Sequence, residues 1–377
     1  MNGVYQALGE LARRWPGGGG KRGTVAVALT GHLGDFLVAT PMLRQLRRGL
    51  PRARIVWLVG GWNLGVAERY GWMADEIWTW AEDAPSQWRE RKWRVGSWGQ
   101  ARVGWALRRA GVETLVTNGL ESPGKRFLAN AARPTLWVGR GERRPPRVWA
   151  GTETRFFAYE RDTDEVEELL RLAEAAGAGR PKARDARPFW RVEEDERAAA
   201  GAFLERSGLG GGGGPLAVLS PGSGWSGKNW GGERFADLAG RLRADGVRVA
   251  WVGTTGEARL CPEGAPADAK WFGRLSLAEL AAVLERADLW IGNDGGAMHL
   301  AEAVGCPTVS LWGPTNEDKW GPRGPRATRV RGGEACPGCK YWEWGGKCGQ
   351  ASHRCMDAIG VETVASAARA ALERGRA

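Results

Sequence analysis

The feature that most constrains this chain is an alternation that occurs twice. Apolar runs rich in β-branched residues are separated by segments with helical spacing. In the first half the runs are Thr24 to Thr30 (TVAVALT), Ile55 to Val59, Thr114 to Thr117 and Thr135 to Val138. In the second half they are Leu216 to Ser220 (LAVLS), Val247 to Gly253 (VRVAWVG), Asp288 to Ile291 and Thr308 to Trp312. Strands alternating with helices build a parallel sheet with helices on both faces, so each half reads as a doubly wound α/β unit. A length of 377 residues exceeds one ordinary hydrophobic core. The expectation is therefore two domains, 1–185 and 186–377. The proline- and charge-rich stretch GRPKARDARPFW (Gly179 to Trp190) suits a linker, and the glycine run Gly210 to Gly214 offers a second flexible point. No fixed-period repeat is present, which excludes solenoids and propellers.

Composition is globular: 43% of residues are hydrophobic and 26% charged, far from the signature of disorder. The first residues contain no apolar core of signal-peptide length, and no stretch approaches a membrane span, so a cytoplasmic protein is expected. A net charge of +11 points to acidic partners such as phosphates, nucleotides or anionic lipid surfaces. The 58 glycines and 22 tryptophans match a composition bias that also explains many single exposed Arg and Trp residues.

Each half opens with a strand, a glycine turn and a helix, which brings backbone N–H groups to the carboxyl edge of a sheet. In TVAVALTGHLGDFLVATPML, Gly31 and Gly34 permit a tight turn and Asp35 falls at a helix start. An acid there caps orphan N–H groups, and on the local pattern alone that explanation leads. Pro41 requires the first turn of a helix or a kink. In LSPGSGWSGKNWGGERF, Ser220, Ser223, Gly224 and Ser226 leave room for a phosphate and Lys228 supplies a charge, although this is not a P-loop. In VAWVGTTGEARL, Glu257 lies beyond a strand end, where acids accept hydrogen bonds from ribose. In ADLWIGNDGGAMHLAEAVGCP, Asp294, Gly295 and Gly296 precede a helix from about Ala297 through Val304, with His299 one turn inside. That helix start favours a pyrophosphate.

Taken together, GDFLVATPML, the PGSG…K.W block and LSLAELAAVLERADLWIGNDGGAMHLAEAVGCPTVSLWGPT resemble glycosyltransferase family 9, which contains the heptosyltransferases of lipopolysaccharide core assembly. The resemblance runs in matching order from Asp35 to Val364. It implies a GT-B fold, two Rossmann-like domains facing across a cleft, with acceptor on the first and nucleotide-sugar donor on the second. It implies an inverting transfer of a heptose or related sugar from an ADP-activated donor to a lipopolysaccharide-core-like glycolipid or glycan, with no catalytic metal. Asp35 matches the family's proposed general base and Lys228 the lysine that neutralises donor phosphate. Ser223, Gly224, Asp294, Gly295, Gly296 and His299 fall in donor-binding segments, and Glu257 matches the acid near the nucleoside. Two positions depart: Gly295 stands where the family carries Ser or Thr, and Trp230-Gly231 replaces Trp-Pro.

Four of the six cysteines lie in CPGCKYWEWGGKCGQASHRC, at Cys336, Cys339, Cys348 and Cys355. A CxxC knuckle followed by two more thiols forms a candidate site for structural zinc or iron. Cys261 and Cys306 read as buried apolar residues. The stretch from Gln87 to Arg109 interleaves Trp88, Trp93, Trp98 and Trp105 with cations, which suits a glycolipid or an anionic membrane surface, so a peripheral location at the inner face of the membrane is expected alongside a cytoplasmic one. Competing functions are a GT-B-like sugar-nucleotide epimerase and a silent family member acting as a scaffold. A nucleic-acid-binding protein ranks last, because it leaves the ordered motifs unexplained.

Overall fold

The computed structural model describes residues 23–29, 31–81, 96–120, 123–141, 148–332 and 353–376. Backbone contacts divide the chain into two units, Met1–Ala186 and Arg187–Ala377. The first contains β1 (Thr24–Leu29), β2 (Arg54–Gly60), β3 (Glu76–Ala81), β4 (Val112–Leu120), β5 (Leu136–Gly141) and β6 (Glu153–Ala158). The second contains β7 (Leu216–Ser220), β8 (Arg248–Gly253), β9 (Ala269–Phe272), β10 (Leu289–Asn293), β11 (Thr308–Trp312) and β12 (Ala327–Arg331).

Both sheets are parallel, and their orders are β3-β2-β1-β4-β5-β6 and β12-β11-β10-β7-β8-β9. Counted within its own unit and read from the β9 end, the second order is the same as the first. Each is the doubly wound dinucleotide-binding order, in which the chain returns to the centre after its third strand and places a crevice beside the first. Those centres are β1/β4 and β7/β10.

The eight strands expected from apolar runs are the four central strands of each sheet. The four that no run announced, β3, β6, β9 and β12, are the four edges. The physical reason is burial. Central strands such as β1, β2 and β7 are buried at every position, whereas β6 and β12 alternate or expose their side chains. An edge covered less completely does not need a continuous apolar run.

In the first unit alternate residues of each strand face opposite layers. Ala26, Ala28, Val56, Leu58 and Leu115 pack with Val103, Leu107, Leu128 and Ala132, from the helices Gly96–Arg109 and Pro123–Ala132. On the other face Trp57 meets Phe36 of the Leu33–Gly49 helix edge-on, with ring centres 6.1 Å apart. Pro41 lies well inside that helix, where its ring nitrogen leaves the Leu37 carbonyl without its usual donor. The Thr40 hydroxyl donates to Leu37 O at 2.6 Å instead, so the helix continues through the proline. Where β5 ends, the buried Arg140 guanidinium donates to the Asn118 carbonyl at 2.6 Å and pairs with both Glu165 and Glu168. Burial lowers its proton affinity, but the two carboxylates outweigh that and hold its pKa above the usual value.

In the second unit β7, β8, β10 and β11 pack against the Gly232–Ala244 and Val361–Arg376 helices around Trp230, Phe235 and Trp251. Cys306 is buried as expected, with its thiol pKa pushed up to about 12 by desolvation. Cys261 is only half-buried, because it follows a surface turn after β8.

Candidate active site

At the centre of the second sheet, β7 and β10 lie side by side and their following loops leave from the same carboxyl edge. The loop after β7 tightens into a short 3-10 turn, Ser226–Lys228, and the loop after β10 leads into the Gly296–Ala303 helix. Adjacency of the strands brings together residues far apart in sequence. Lys228 Nζ donates to Asp294 Oδ2 at 2.9 Å, with 16% and 8% of their side chains exposed. The Thr315 hydroxyl, beyond β11, donates to the same oxygen at 2.7 Å. Asp294 thus holds the lysine in place rather than standing apart from it.

The helix beside this pair begins without a side-chain cap and without an acid in its first turn. Its orphan N–H groups and partial positive charge are therefore available to an anion, and Lys228 adds a full charge nearby. Eight residues long, the helix ends at Ala303 with Val304 as its C-cap, and Gly305 follows at φ 80°, a conformation that favours glycine.

Asn293, unremarked in the sequence, holds the lysine loop at both ends. Its Nδ2 donates to Pro221 O at 2.7 Å and its Oδ1 accepts from Trp230 N–H at 3.1 Å. The side chain is almost wholly buried, so it braces the ten-residue span carrying Ser223 and Lys228 from beneath. The only local signal for it was a polar residue at the end of an apolar strand. Trp230 is buried too and donates its indole N–H to Ile359 O at 2.8 Å, fixing the loop to the core.

Ser223 turns its hydroxyl inward, toward Trp225 O at 2.6 Å and Asn229 Oδ1 at 2.7 Å, so in this state it shapes the loop. Gly224 is exposed, with open space where a Cβ would stand. Glu257 accepts from Thr254 N–H at 2.7 Å, capping its own turn, while its carboxylate lies where a Cβ on Gly222 would stand. It is therefore beside the loop after β7. At Gly295 the backbone is extended and an added Cβ would meet Ser223 at 3.9 Å, ordinary contact. Its missing side chain leaves space for a ligand rather than relieving strain. The Gly231 departure has a different cause: φ is 110° there, which a proline ring cannot adopt.

His299 is buried, and its Nδ1 has no hydrogen-bond partner among the described residues. Desolvation pushes its pKa down to about 4; Asp294 opposes the shift and Lys228 adds to it. The imidazole is therefore neutral near pH 7, able to donate or accept a hydrogen bond but not to contribute a positive charge.

In the first unit Asp35 lies in the opening turn of the Leu33–Gly49 helix and its Oδ2 accepts from His32 N–H at 2.7 Å. The capping explanation is thus realised, and it orients the carboxylate at the carboxyl edge beside β1. Gly31 makes this fit: its φ is 113°, and a Cβ there would lie 2.5 Å from Asp35 Oδ2. From beyond β2, Trp62 Nε1 and Asn63 Nδ2 both donate to Gly31 O, at 2.9 and 3.2 Å. These two positioning groups were invisible in the sequence because they come from another loop.

A family model described as glycosyltransferase family 9 (heptosyltransferase) matches residues 138–342, more than half of the chain. The chain belongs to glycosyltransferase family 9. A curated relative, lipopolysaccharide heptosyltransferase 1 of Pseudomonas aeruginosa, is 34% identical over 130 residues. That alignment covers 34% of this chain and 37% of the relative, so the match spans little more than a third of the relative's length. Among solved structures, a family 9 glycosyltransferase from Veillonella parvula has a TM-score of 0.71 at 21% identity, covering 94% of this chain and 98% of that one. The E. coli ADP-heptose lipopolysaccharide heptosyltransferase II has a TM-score of 0.67 at 20% identity, covering 94% and 100%. At such identity the likeness establishes the fold, that of the GT-B heptosyltransferases.

Cys336, Cys339 and Cys348 lie outside the described residues, as do Trp88 and Trp93. Cys355 is buried, its sulfur close to Gly313 after β11. Among the described residues no group of three His, Cys, Asp or Glu side chains is placed to hold a metal, and no helix is long and apolar enough to cross a membrane.

Proposed function

We propose that this family 9 member transfers a heptose or a related sugar, with inversion, from an ADP-activated donor to a lipopolysaccharide-core-like glycolipid or glycan. The observation that carries the reading is the Lys228–Asp294 pair beside the uncapped Gly296–Ala303 helix, at the centre of a doubly wound sheet. Breaking the sugar–phosphate bond develops negative charge on the departing diphosphate and positive character at the anomeric carbon. Lys228 and the helix amides neutralise the former. Asp294 keeps the ammonium aimed, and the space at Gly295 lets phosphate approach the backbone. Neutral His299 contributes a hydrogen bond, and Glu257, next to the same loop, meets the ribose. Asp35 removes the proton from the attacking hydroxyl, which arrives opposite the leaving group and inverts the centre. The two cationic elements supply the charge neutralisation that a divalent metal supplies in other transferases. The thiols Cys336, Cys339, Cys348 and Cys355 are proposed to hold a structural zinc or iron, on the spacing argument alone.

Substituting Asp35→Asn tests the mechanism, since an amide oxygen still accepts from His32 N–H while basicity is lost. Transfer from ADP-heptose to acceptor should fall by about 10²–10⁴-fold, with ADP affinity kept. Full activity in this variant removes Asp35 from the chemistry. Conversion of donor in the absence of any acceptor replaces the transfer reading with an epimerase.

A further inference from the structure

In the first unit, the helices Gly96–Arg109 and Pro123–Ala132 pack so closely that a Cβ on Gly104 would lie 2.6 Å from Ala131 Cβ and 2.7 Å from Leu128 O. Their shared inner side covers the sheet through Val103, Leu107, Leu128 and Ala132. The outer side is unusual. Trp105, next to Gly104, is 49% exposed, and Phe127, next to Leu128, is 47% exposed. Trp149, just before β6, is 51% exposed. It is tied to the second helix and to the residue that follows it: its backbone N–H donates to Asn130 Oδ1 at 3.0 Å, and the guanidinium of Arg133, just past the helix end, lies 3.8 Å over its ring. Of the six large hydrophobic side chains most exposed among the described residues, three are thus on this one layer.

The charge on the same layer has one sign. Arg108 and Arg109, one turn beyond Trp105, and Arg133 are exposed, and neither helix contains an Asp or Glu. Aromatic rings among arginines, with no acid, suit the boundary between lipid headgroups and acyl chains. Amphipathic rings partition into that zone while guanidinium groups meet anionic phosphates. A soluble anion would need no apolar surface at all.

We infer that this outer layer, formed by Trp105, Phe127, Trp149 and the arginines Arg108, Arg109 and Arg133, docks the protein onto an anionic bilayer surface. The inference deepens the glycolipid-acceptor reading, since docking brings the enzyme to the surface in which such an acceptor is anchored. Docking needs neither donor nor turnover, so its failure is distinct from failure of the transfer reaction.

The test is sedimentation of the full chain with vesicles, either phosphatidylcholine alone or phosphatidylcholine with one quarter phosphatidylglycerol. Binding is expected to the anionic vesicles and not to the neutral ones, and it should weaken at high salt. Combining Trp105→Ala, Phe127→Ala and Trp149→Ala should lower partitioning by roughly tenfold or more. Arg108→Glu with Arg109→Glu should do the same, and this exposed pair decides the matter if the triple variant loses its fold by circular dichroism. Any of four results overturns the inference: no binding to anionic vesicles, equal binding to both kinds, variants that bind like the native chain, or displacement by inorganic phosphate at constant ionic strength.

Discussion

Lowering the pH should unfold the second unit through one identifiable side chain. His299 is 5% exposed and its pKa is pushed down to about 4 from the ordinary imidazole value of 6.5, with burial as the main cause. In the unfolded chain the same imidazole titrates near its ordinary value. Between pH 6.5 and 4 the unfolded state therefore binds a proton that the folded state refuses, and stability must rise with pH across that window. The effect is fully present as destabilisation below pH 4 and absent above pH 7. A drop of about 2.5 pH units, at about 1.4 kcal/mol each, amounts to about 3 kcal/mol, most of it lost by pH 4.5. The measurement is a set of urea melts from pH 7.5 to 4.5 on the native chain and on His299→Leu, which keeps an apolar side chain in the buried site. Other titrating groups affect both proteins alike, so the difference between the two curves isolates His299. The native chain should lose about 2 to 3 kcal/mol relative to the variant over this range. Parallel curves would mean that His299 is solvated or paired in the folded protein, and the assignment of a neutral imidazole to the donor site would fail with it.

Replacing Asn293 by Ala strands the Trp230 N–H and the Pro221 carbonyl, a loss of about 2–4 kcal/mol in the second unit. ADP affinity, read by calorimetry, should fall with it, whereas unchanged affinity would show that the lysine loop does not depend on this brace. Elemental analysis of the purified protein should find about one zinc or iron per chain, released by chelators with a drop in the thermal midpoint. Metal-free protein of unchanged stability excludes the thiol site.

The junction of Lys228 and Thr315 at Asp294, with Asn293 bracing the lysine loop, explains why the departures from the family pattern coexist with an organised site. At Gly295 a side-chain hydroxyl is missing, but the backbone amides at the start of the Gly296–Ala303 helix carry no side-chain cap, and under the proposed function they meet the phosphate instead. At Gly231 the backbone takes a conformation that only glycine adopts readily, which redirects the chain from the buried Trp230 into the Gly232–Ala244 helix. Neither change disturbs the pair that would meet the phosphate.

The sequence by itself determined the layers. Continuous apolar runs marked every central strand, and the glycine turns after β1 and β10 marked where helices begin, because burial on two faces and turn geometry are properties of short segments. It also showed that Asp35 suits a helix start, which the His32 contact bears out. Edge strands escaped detection, since partial cover leaves their composition mixed. Tertiary structure alone decided which polar groups meet. Lys228 and Asp294 are 66 residues apart and become neighbours because β10 returns to lie beside β7. The clamp by Asn293, the pinning of Gly31 by Trp62 and Asn63, and the neutral state of His299 arise in the same way. Hydrogen bonds between loops and the desolvation of a side chain depend on what the fold places around each residue, and no local pattern records that.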